Sequence, residues 1–291
     1  FADFLFDKSG YTYYNPLEGN KGHLGNKVTV NGKIQPYFKV QRRKYRFRLL
    51  DASVARFYEF YLMNGTTSQS FTYIANDGNL LPAPLTMNAV RLAPAERADI
   101  VIDFSKYTIG SQLFLVNRLA MADGRGPSGL TANDQMLRFD VDSDPTEPDV
   151  SRVPTTLRAL PPIDLHKVVY RRRFEFKKEL NDIWVVNDKI FDVEKAAHNV
   201  KRGTAEIWEL VGHGDWHHPV HIHLEEGRIL KRNGVAPPAH ERGRMDVYTL
   251  APEERVEVFI RFRDFTGKYL MHCHNLSHED HAMMLRFDVK P

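Results

Sequence analysis

The chain has 291 residues, of which 42% are hydrophobic and 26% are charged, a composition typical of globular proteins with room for one large or two ordinary domains. Its single cysteine excludes an internal disulfide, and no apolar run approaches the roughly 20 residues of a membrane-spanning helix. The net charge is only +3, and the short basic clusters are more typical of solvated strand edges than of a nucleic-acid-binding surface. The chain begins at Phe1 without a signal peptide, so we expect a processed product or an excised segment.

Period-two alternation of apolar residues is the main secondary-structure signal along the chain. Residues 28–34 hold an Asn31-Gly32 step between apolar residues, a pattern that predicts a β-hairpin. Residues 44–49 and 255–262 alternate apolar and polar side chains, as strands with one buried face do. Long amphipathic helical patterns are nearly absent, so the sequence predicts an all-β protein.

Three segments of the first half recur in the second half in the same order. The matching segments are 30–34 with 186–190, 93–104 with 251–262, and 136–141 with 284–289. Residues 136–141 and 284–289 are identical, with the sequence Met-Leu-Arg-Phe-Asp-Val in both copies. Three matches in one order indicate two copies of a single β-domain.

A stretch rich in proline and aspartate, residues 142–162, separates the two copies and is typical of a linker. We therefore predict one domain at residues 1–145, a linker at residues 146–162 and a second domain at residues 163–291. Domains of this length with several short strands fit a Greek-key β-sandwich or barrel.

Most of the 13 histidines lie in two groups in the second half, at residues 217–223 and 272–281. The repeat aligns the triplet His272-Cys273-His274 with residues 115–117 of the first copy, Leu-Val-Asn. The first domain is therefore predicted to have no metal ligands at this place.

Strand geometry distributes these side chains over two faces. Because successive side chains of a strand point to opposite faces, His272 and His274 should lie on one face and Cys273 on the other. His221 and His223, also two residues apart, share a face in the same way.

The candidate partners of Cys273 are His218, His278 and Met283. Two imidazoles, a thiolate and a distant thioether are the ligands of a blue-copper site. Zinc also binds cysteine and histidine, but it needs neither a thiolate between two histidines nor a methionine ten residues later, so the sequence favours copper.

At these residues the sequence resembles the multicopper oxidases. The likeness covers essentially the whole chain, which corresponds to the second and third cupredoxin domains of that family. Residues 30–53 and 272–284 most resemble the branch that contains bilirubin oxidases and bacterial spore-coat laccases. The fold that this implies is two tandem cupredoxin-like Greek-key domains, the first without copper ligands.

The resemblance implies a role for most residues of the two histidine groups. The ligands of a type 1 copper would be His218, Cys273, His278 and, in the axial position, Met283. The type 2 copper would use His221, and the type 3 pair would use His223, His272 and His274. The residues implied to be catalytic are Cys273, His278, whose ring edge would face the reducing substrate, and Glu279, which would assist proton delivery to reduced oxygen. Without that role, Glu279 is a solvated surface acid. The histidines that match no ligand position here are His213, His217, His240 and His281.

The activity implied is that of a copper-dependent oxidoreductase. It would oxidise a one-electron donor, such as a phenol, an aromatic amine, a tetrapyrrole or a metal ion, and would use four electrons to reduce dioxygen to water. Residues 225–246 are expected to shape the donor pocket. The location that the family implies is periplasmic or secreted.

The three-copper cluster of the family uses eight histidines, and this sequence supplies four of them. We therefore expect a first cupredoxin domain or another polypeptide to supply the rest, and we do not expect this chain alone to reduce oxygen.

Other classes of copper protein stay open. A blue-copper electron-transfer module needs only the Cys273 site, and a two-domain copper nitrite reductase has a similar length but no cysteine flanked by histidines. Copper storage or sensing also stays open.

Overall fold

The computed structural model describes residues 1–14, 22–179 and 182–291. The described chain divides into two compact units, of which one holds residues 1–14 and 24–159 and the other holds residues 22–23 and 160–291. Strands dominate both units, which confirms the prediction of an all-β protein.

The first unit consists of three sheets. Its strands in the described ranges are β1 (Ala2–Phe6), β2 (Thr12–Tyr13), β3 (Lys27–Val30), β4 (Lys33–Ile34), β5 (Tyr37–Gln41), β6 (Lys44–Leu50), β7 (Tyr58–Asn64), β8 (Thr67–Gln69), β9 (Phe71–Asn76), β10 (Asn79–Met87), β11 (Ala89–Leu92), β12 (Arg97–Asp103), β13 (Gln112–Ala120) and β14 (Gly129–Ser143). The strand orders are β2-β1-β3-β4, β10-β9-β12-β6 and β11-β7-β13-β14-β5, with β8 paired to β7. The inner faces of the two larger sheets meet in one apolar core, which includes Phe60, Ile100 and Phe139.

The second unit consists of two five-stranded sheets. Its strands in the described ranges are β15 (Val168–Lys178), β16 (Trp184–Val186), β17 (Ala196–Lys201), β18 (Ala205–Gly212), β19 (His218–Ile222), β20 (Arg228–Arg232), β21 (Val247–Leu250), β22 (Arg255–Arg261), β23 (Gly267–Cys273) and β24 (Met284–Lys290). The strand orders are β16-β15-β18-β22-β20 and β17-β24-β23-β19-β21. The core between them includes Trp208, Phe262 and Phe287, and it extends to Cys273.

A single α-helix, α1 (Leu276–Asp280), occurs in the part of the chain that the structure describes. Short 3-10 turns occupy Phe104–Lys106, Leu165–Lys167 and Ala239–Glu241. Over the same residues, no helix is long and apolar enough to cross a membrane.

The recurring sequence segments form the same local structures in both units. The hairpin between β3 and β4 turns through Asn31 and Gly32, both with positive φ, as type I′ hairpins require. The second copy repeats this turn at Asn187 and Asp188, again with positive φ at both residues. The identical segments also match, because β14 pairs in parallel with β5 and β24 pairs in parallel with β17.

Strand register corrects the alignment of the repeat at the ligand-bearing strand. Leu137 of β14 lies opposite Leu115 of β13, whereas its counterpart Leu285 of β24 lies opposite Met271 of β23. Leu115 therefore corresponds to Met271, one residue earlier than the sequence alignment placed it. The counterpart of the triplet at residues 272–274 is residues 116–118, Val-Asn-Arg, which still contain no cysteine or histidine. The pairing of β13 with β14 has a bulge directly after Leu115, and no residue pattern marked it.

Part of the predicted linker packs on the first unit. The amide of Leu157 donates to the carbonyl of Pro82 at 2.9 Å, and the amide of Arg158 donates to that of Leu81 at 3.3 Å. The side chain of Leu157 also contacts the apolar core of the first unit. The two units therefore divide between residues 159 and 160, near the end of the predicted linker.

Candidate metal centre

Three buried side chains converge at one end of the second core. Cys273 Sγ lies 3.6 Å from His218 Nδ1 and 3.5 Å from His278 Nδ1, and all three residues are fully buried. Metal bonds of about 2.0 Å to nitrogen and about 2.3 Å to sulfur separate the two ligand atoms by about 3.5–3.7 Å at trigonal to tetrahedral angles. The observed spacing therefore suits a single metal ion between these side chains.

The local sequence explains how these residues meet. Antiparallel strands β19 and β23 are neighbours, with Val220 opposite Cys273, and His218 shares a face with Val220 because it is two residues away. The chain then turns into α1, whose first turn is capped by Asn275, since its Oδ1 accepts a hydrogen bond from the Ser277 amide at 3.1 Å. This one helical turn brings His278 back over the sulfur of Cys273.

Met283 joins the same cluster through its backbone. Its carbonyl accepts a hydrogen bond from the Cys273 amide at 3.0 Å, and its amide donates to the carbonyl of His278 at 3.0 Å. The Met283 side chain is fully buried in the core that contains Cys273. The structure thus places all four residues predicted for the first site together.

Burial sets the protonation states of this site in the absence of a metal. Burial raises the pKa of the Cys273 thiol, and it lowers the pKa of His218 to about 3 and that of His278 well below its usual range. The metal-free site therefore holds a neutral thiol and two neutral imidazoles. A metal cation that binds here must displace the thiol proton, because the thiolate is the ligand form.

The second histidine group lies on the other face of β23. The ligand atoms of His221, His223 and His272 all lie within 4.8 Å of one another, and Nε2 of His223 is 3.1 Å from Nε2 of His272. The ring of His274 flanks this triad, with its centroid 5.5 Å from that of His272. The structure therefore brings three of the four predicted residues into one tight group and places the fourth beside it.

Backbone carbonyls fix the orientation of two of these rings. Nδ1 of His221 donates to the carbonyl of Asp246 at 2.9 Å, and Nδ1 of His272 donates to the carbonyl of Cys273 at 3.1 Å. A carbonyl oxygen can only accept, so both rings carry their proton on Nδ1 and leave Nε2 as a potential ligand atom. His221 and His223 border a cavity of about 330 Å³ that is also lined by Tyr269.

Glu279 lies beside the second histidine group. Its Oε2 is 3.3 Å from Nδ1 of His272, which is within ion-pair distance, although the ring N–H is directed at the Cys273 carbonyl instead. Partial burial opposes ionisation, but the contact with His272 and the neighbouring histidines outweigh it and lower the pKa of Glu279. The carboxyl group is therefore ionised at neutral pH and directed at a candidate metal ligand.

Two tryptophans that the sequence analysis did not select complete the first site. The ring of Trp184 stacks on that of His278, with centroids 3.6 Å apart and planes 24° apart, and Trp216 meets the same ring nearly at right angles at 5.3 Å. Both indoles therefore cover the His278 ring, which is fully buried, and its role of facing the reducing substrate stays a prediction. Proximity of Trp216 to His218 in sequence is a usable signal, whereas nothing in the local sequence marks Trp184.

The groove beside Trp216 is formed by residues 175–179 and 213–216. His213 lies at its edge, with its ring nitrogens 3.7 Å from Glu175 and 3.5 Å from Glu253. Residues 225–246, which were expected to shape the donor pocket, contribute no residue to this groove. They contribute Glu225, Glu226 and Asp246 to the cavity beside the second histidine group instead.

Comparisons with known proteins agree with this geometry. A sequence model described as multicopper oxidase matches residues 161–291. The chain is 37% identical over 294 residues to a bilirubin oxidase of Albifimbria verrucaria, across 96% of this chain and 51% of that protein. It is 31% identical to a laccase of Bacillus subtilis (strain 168), across 91% of this chain and 54% of that protein.

A solved structure has the same fold. The crystal structure of McoA multicopper oxidase from the hyperthermophile Aquifex aeolicus superposes with a TM-score of 0.89 and 28% identity, across all of this chain and 64% of that one. This likeness confirms the predicted cupredoxin-like fold class. The chain spans about half the length of the bilirubin oxidase and the laccase. Residues 161–291 therefore match the multicopper oxidase family, and the sequence likeness along the chain, its fold and the clustering of its histidines around one cysteine agree with that match.

Proposed function

We propose that this chain is the electron-entry portion of a multicopper oxidase, with a type 1 copper bound at Cys273. Copper is the metal that the family implies. The observation that carries the proposal is the closed, fully buried triad of His218, Cys273 and His278, with nitrogen–sulfur distances of 3.6 and 3.5 Å. Two imidazoles, a thiolate and a weakly bound thioether are the ligands of blue copper, and Met283 would supply the thioether.

The second part of the proposal concerns a three-copper cluster. We assign His221 to the type 2 copper and His223, His272 and His274 to the type 3 pair, as the family resemblance implies. The tight grouping of three of these rings, and the Nε2 atoms left available by the carbonyl hydrogen bonds, support this assignment. Bound copper would supply one-electron chemistry at the first site and, in a completed cluster, the four-electron reduction of dioxygen to water.

The residues of the chain would perform three tasks for this chemistry. Complete burial of Cys273 and His278 excludes water and holds the ligands in one geometry. The peptide backbone from His272 to His274 joins the two metal sites through three consecutive residues. The ionised carboxylate of Glu279, 3.3 Å from His272, would accept and deliver a proton beside the cluster.

The cluster would be completed from outside these 291 residues. The sequence holds only two pairs of histidines two residues apart, at residues 221 and 223 and at residues 272 and 274. The family cluster uses four such pairs, so a first cupredoxin domain or another polypeptide would supply the rest. The likeness to a bilirubin oxidase and a laccase supports tetrapyrrole, phenol and aromatic amine donors, with metal ions as a further class. A periplasmic or secreted location rests on the family alone.

Electron transfer without oxidase activity is the second candidate for the chain by itself. The specific observation in its favour is that the Cys273 site is closed on all sides, whereas the second histidine group borders an open cavity. In this case the chain would accept one electron and pass it to a partner.

Stoichiometric reduction of the copper-loaded chain tests the proposal. A one-electron donor should bleach the blue absorption with one electron per chain, without sustained oxygen uptake. Addition of a polypeptide with the two missing histidine pairs should start oxygen uptake. Cys273→Ser should abolish the blue absorption, with Met284→Leu as the matched control that keeps it, because Met284 is assigned no ligand role. A blue band that survives in the Cys273→Ser protein would contradict the proposed site. Sustained oxygen uptake by the chain alone would contradict the incomplete cluster.

A further inference from the structure

One ammonium group lies against the two indoles that cover the proposed copper site. Nζ of Lys178 is 5.3 Å from the ring centroid of Trp184 and 5.5 Å from that of Trp216. The Trp184 ring is in turn 3.6 Å from the ring of His278. The distance from Lys178 Nζ to the centroid of the His278 ring is therefore at most the sum of these two distances, 5.3 and 3.6 Å.

The surroundings of Lys178 leave a net positive field on this side of the site. Its side chain is 14% exposed, whereas its ion-pair partner Asp182, at 2.7 Å, is 70% exposed. Water screens the exposed carboxylate more than the largely covered ammonium group. The indole rings between Lys178 and His278 exclude water from the direct path, so the interaction with the site is weakly screened.

We propose that the charge of Lys178 raises the reduction potential of the copper site at Cys273. The inference rests on the proposed type 1 copper. A nearby cation destabilises copper(II) more than copper(I), because the oxidised ion carries one more positive charge. For charges about 10 Å apart at an effective dielectric constant of about 20, the unopposed effect is somewhat more than a tenfold change in the ratio of the two affinities. Since Asp182 offsets part of it, we expect about threefold to tenfold.

Four variants separate charge from packing. Lys178→Met removes the charge and keeps an unbranched side chain, and Lys178→Arg keeps the charge. Asp182→Asn removes the opposing charge and should move the potential in the other direction. Lys177→Met is the matched control, because Lys177 is the adjacent residue on the opposite face of β15 and pairs with Glu179 and Asp188.

The measurement is a redox titration of the copper-loaded proteins, followed by the blue absorption. Lys178→Met should lower the ratio of copper(I) to copper(II) affinity by about threefold to tenfold, where tenfold corresponds to about 59 mV for a one-electron couple. Asp182→Asn should raise the ratio, while Lys178→Arg and Lys177→Met should stay within about twofold of the wild type.

Each result has a defined meaning. An unchanged potential in Lys178→Met with an intact blue band overturns the inference and leaves the copper site standing. Equal shifts in Lys178→Met and Lys178→Arg also overturn it, because packing rather than charge would then be the cause. If Lys178→Met does not fold, two other variants decide the question. Asp182→Asn should raise the ratio of copper(I) to copper(II) affinity, and Lys178→Glu should lower it. A wild-type protein that binds copper without a blue band overturns the proposed function, and this inference with it.

Discussion

The imidazole of His278 stacks on the indole of Trp184, with ring centroids 3.6 Å apart and planes 24° apart. Trp184 is fully buried at the start of β16, in the sheet opposite the one that carries Cys273. The orientation of this candidate copper ligand is therefore fixed by aromatic packing between the two sheets before any metal binds. Such preorganisation lets the site hold one geometry in both oxidation states of a metal.

Trp184→Phe tests whether this stacking orients His278. The smaller ring should leave a cavity and lower the free energy of unfolding by about 1–3 kcal/mol. It should also shift the blue absorption and the paramagnetic resonance parameters, because His278 gains freedom to rotate. Trp208→Phe is the matched control, since Trp208 is fully buried in the same core but contacts no candidate ligand in its described ring contacts. Equal spectra for the wild type and Trp184→Phe would show that the stacking does not orient the ligand.

The single thiol of the metal-free chain should be inert in the folded state. Cys273 is fully buried, and burial raises the pKa of its thiol, so little of the reactive thiolate is present at neutral pH. A thiol reagent should label the folded chain slowly and should label one thiol per chain once a denaturant is added. Mass spectrometry over time measures both rates. Rapid labelling without denaturant would place Cys273 at the surface and contradict this geometry.

Glu225 should stabilise the loop that follows the second histidine group. Its carboxylate is 4% exposed and accepts hydrogen bonds from the amide and the guanidinium group of Arg263 at 2.6–2.9 Å. Glu225→Gln removes this charge pairing and should lower the free energy of unfolding by about 1–2 kcal/mol, since Arg263 is partly exposed. When another polypeptide completes the cluster, copper binding at His221 and His223 should weaken while the blue site stays unchanged.

Glu226→Gln is the control for this prediction. Glu226 is 32% exposed, and its ion pairs with Arg244 and Arg263 are longer, at 3.5 and 3.7 Å. Its loss should therefore cost less than about 0.5 kcal/mol. Urea denaturation of both variants measures the difference. Equal losses of unfolding free energy would mean that the burial of Glu225 adds nothing to the stability of its ion pair.

His198 should make the metal-free chain sensitive to acid. Burial, with a smaller effect of Arg172, lowers the pKa of His198 to about 3, and its ring stacks on Phe287. Below the ordinary histidine pKa of about 6.5, the unfolded chain binds a proton that the folded chain does not, so the free energy of unfolding falls as the pH falls from about 6.5 towards 3. This single group should contribute a loss of about 2 kcal/mol between pH 7 and pH 5.

The variant His198→Phe isolates that contribution. Its loss of stability between pH 7 and pH 5 should be about 2 kcal/mol smaller than that of the wild type, as urea denaturation at the two pH values measures. His166→Gln, at an exposed position, should keep the wild-type dependence. A His198→Phe protein with the same pH dependence as the wild type would mean that His198 is protonated in the folded chain.

Local patterns predicted the fold class and, together with the family resemblance, the residues of the candidate site. Asn31-Gly32 fixes a hairpin because its backbone conformation is local, and the spacing of His272, Cys273 and His274 determines their faces because strand geometry has period two. The recurrence of the identical segments was a local signal of the same kind. Each copy forms a strand that pairs in parallel within its own unit, β14 with β5 and β24 with β17.

The features that the sequence could not predict depend on contacts between distant segments. Trp184 reaches His278 only because two sheets pack face to face, and no local pattern encodes that meeting. The correspondence of Leu115 with Met271 is read from the pairing of each strand with its neighbour, and register depends on the partner strand. Burial of His278 under Trp184 and Trp216 likewise depends on contacts that the ligand motif alone does not encode.

Electron paramagnetic resonance of the copper(II)-loaded chain, with copper counted per protein, decides whether Cys273 is a copper ligand. We expect a type 1 signal from one copper per chain that Cys273→Ser abolishes. A second, normal copper signal should appear only when another polypeptide completes the cluster. Copper that binds to the wild-type chain without any type 1 signal would contradict the assignment of Cys273, His218 and His278 as its ligands.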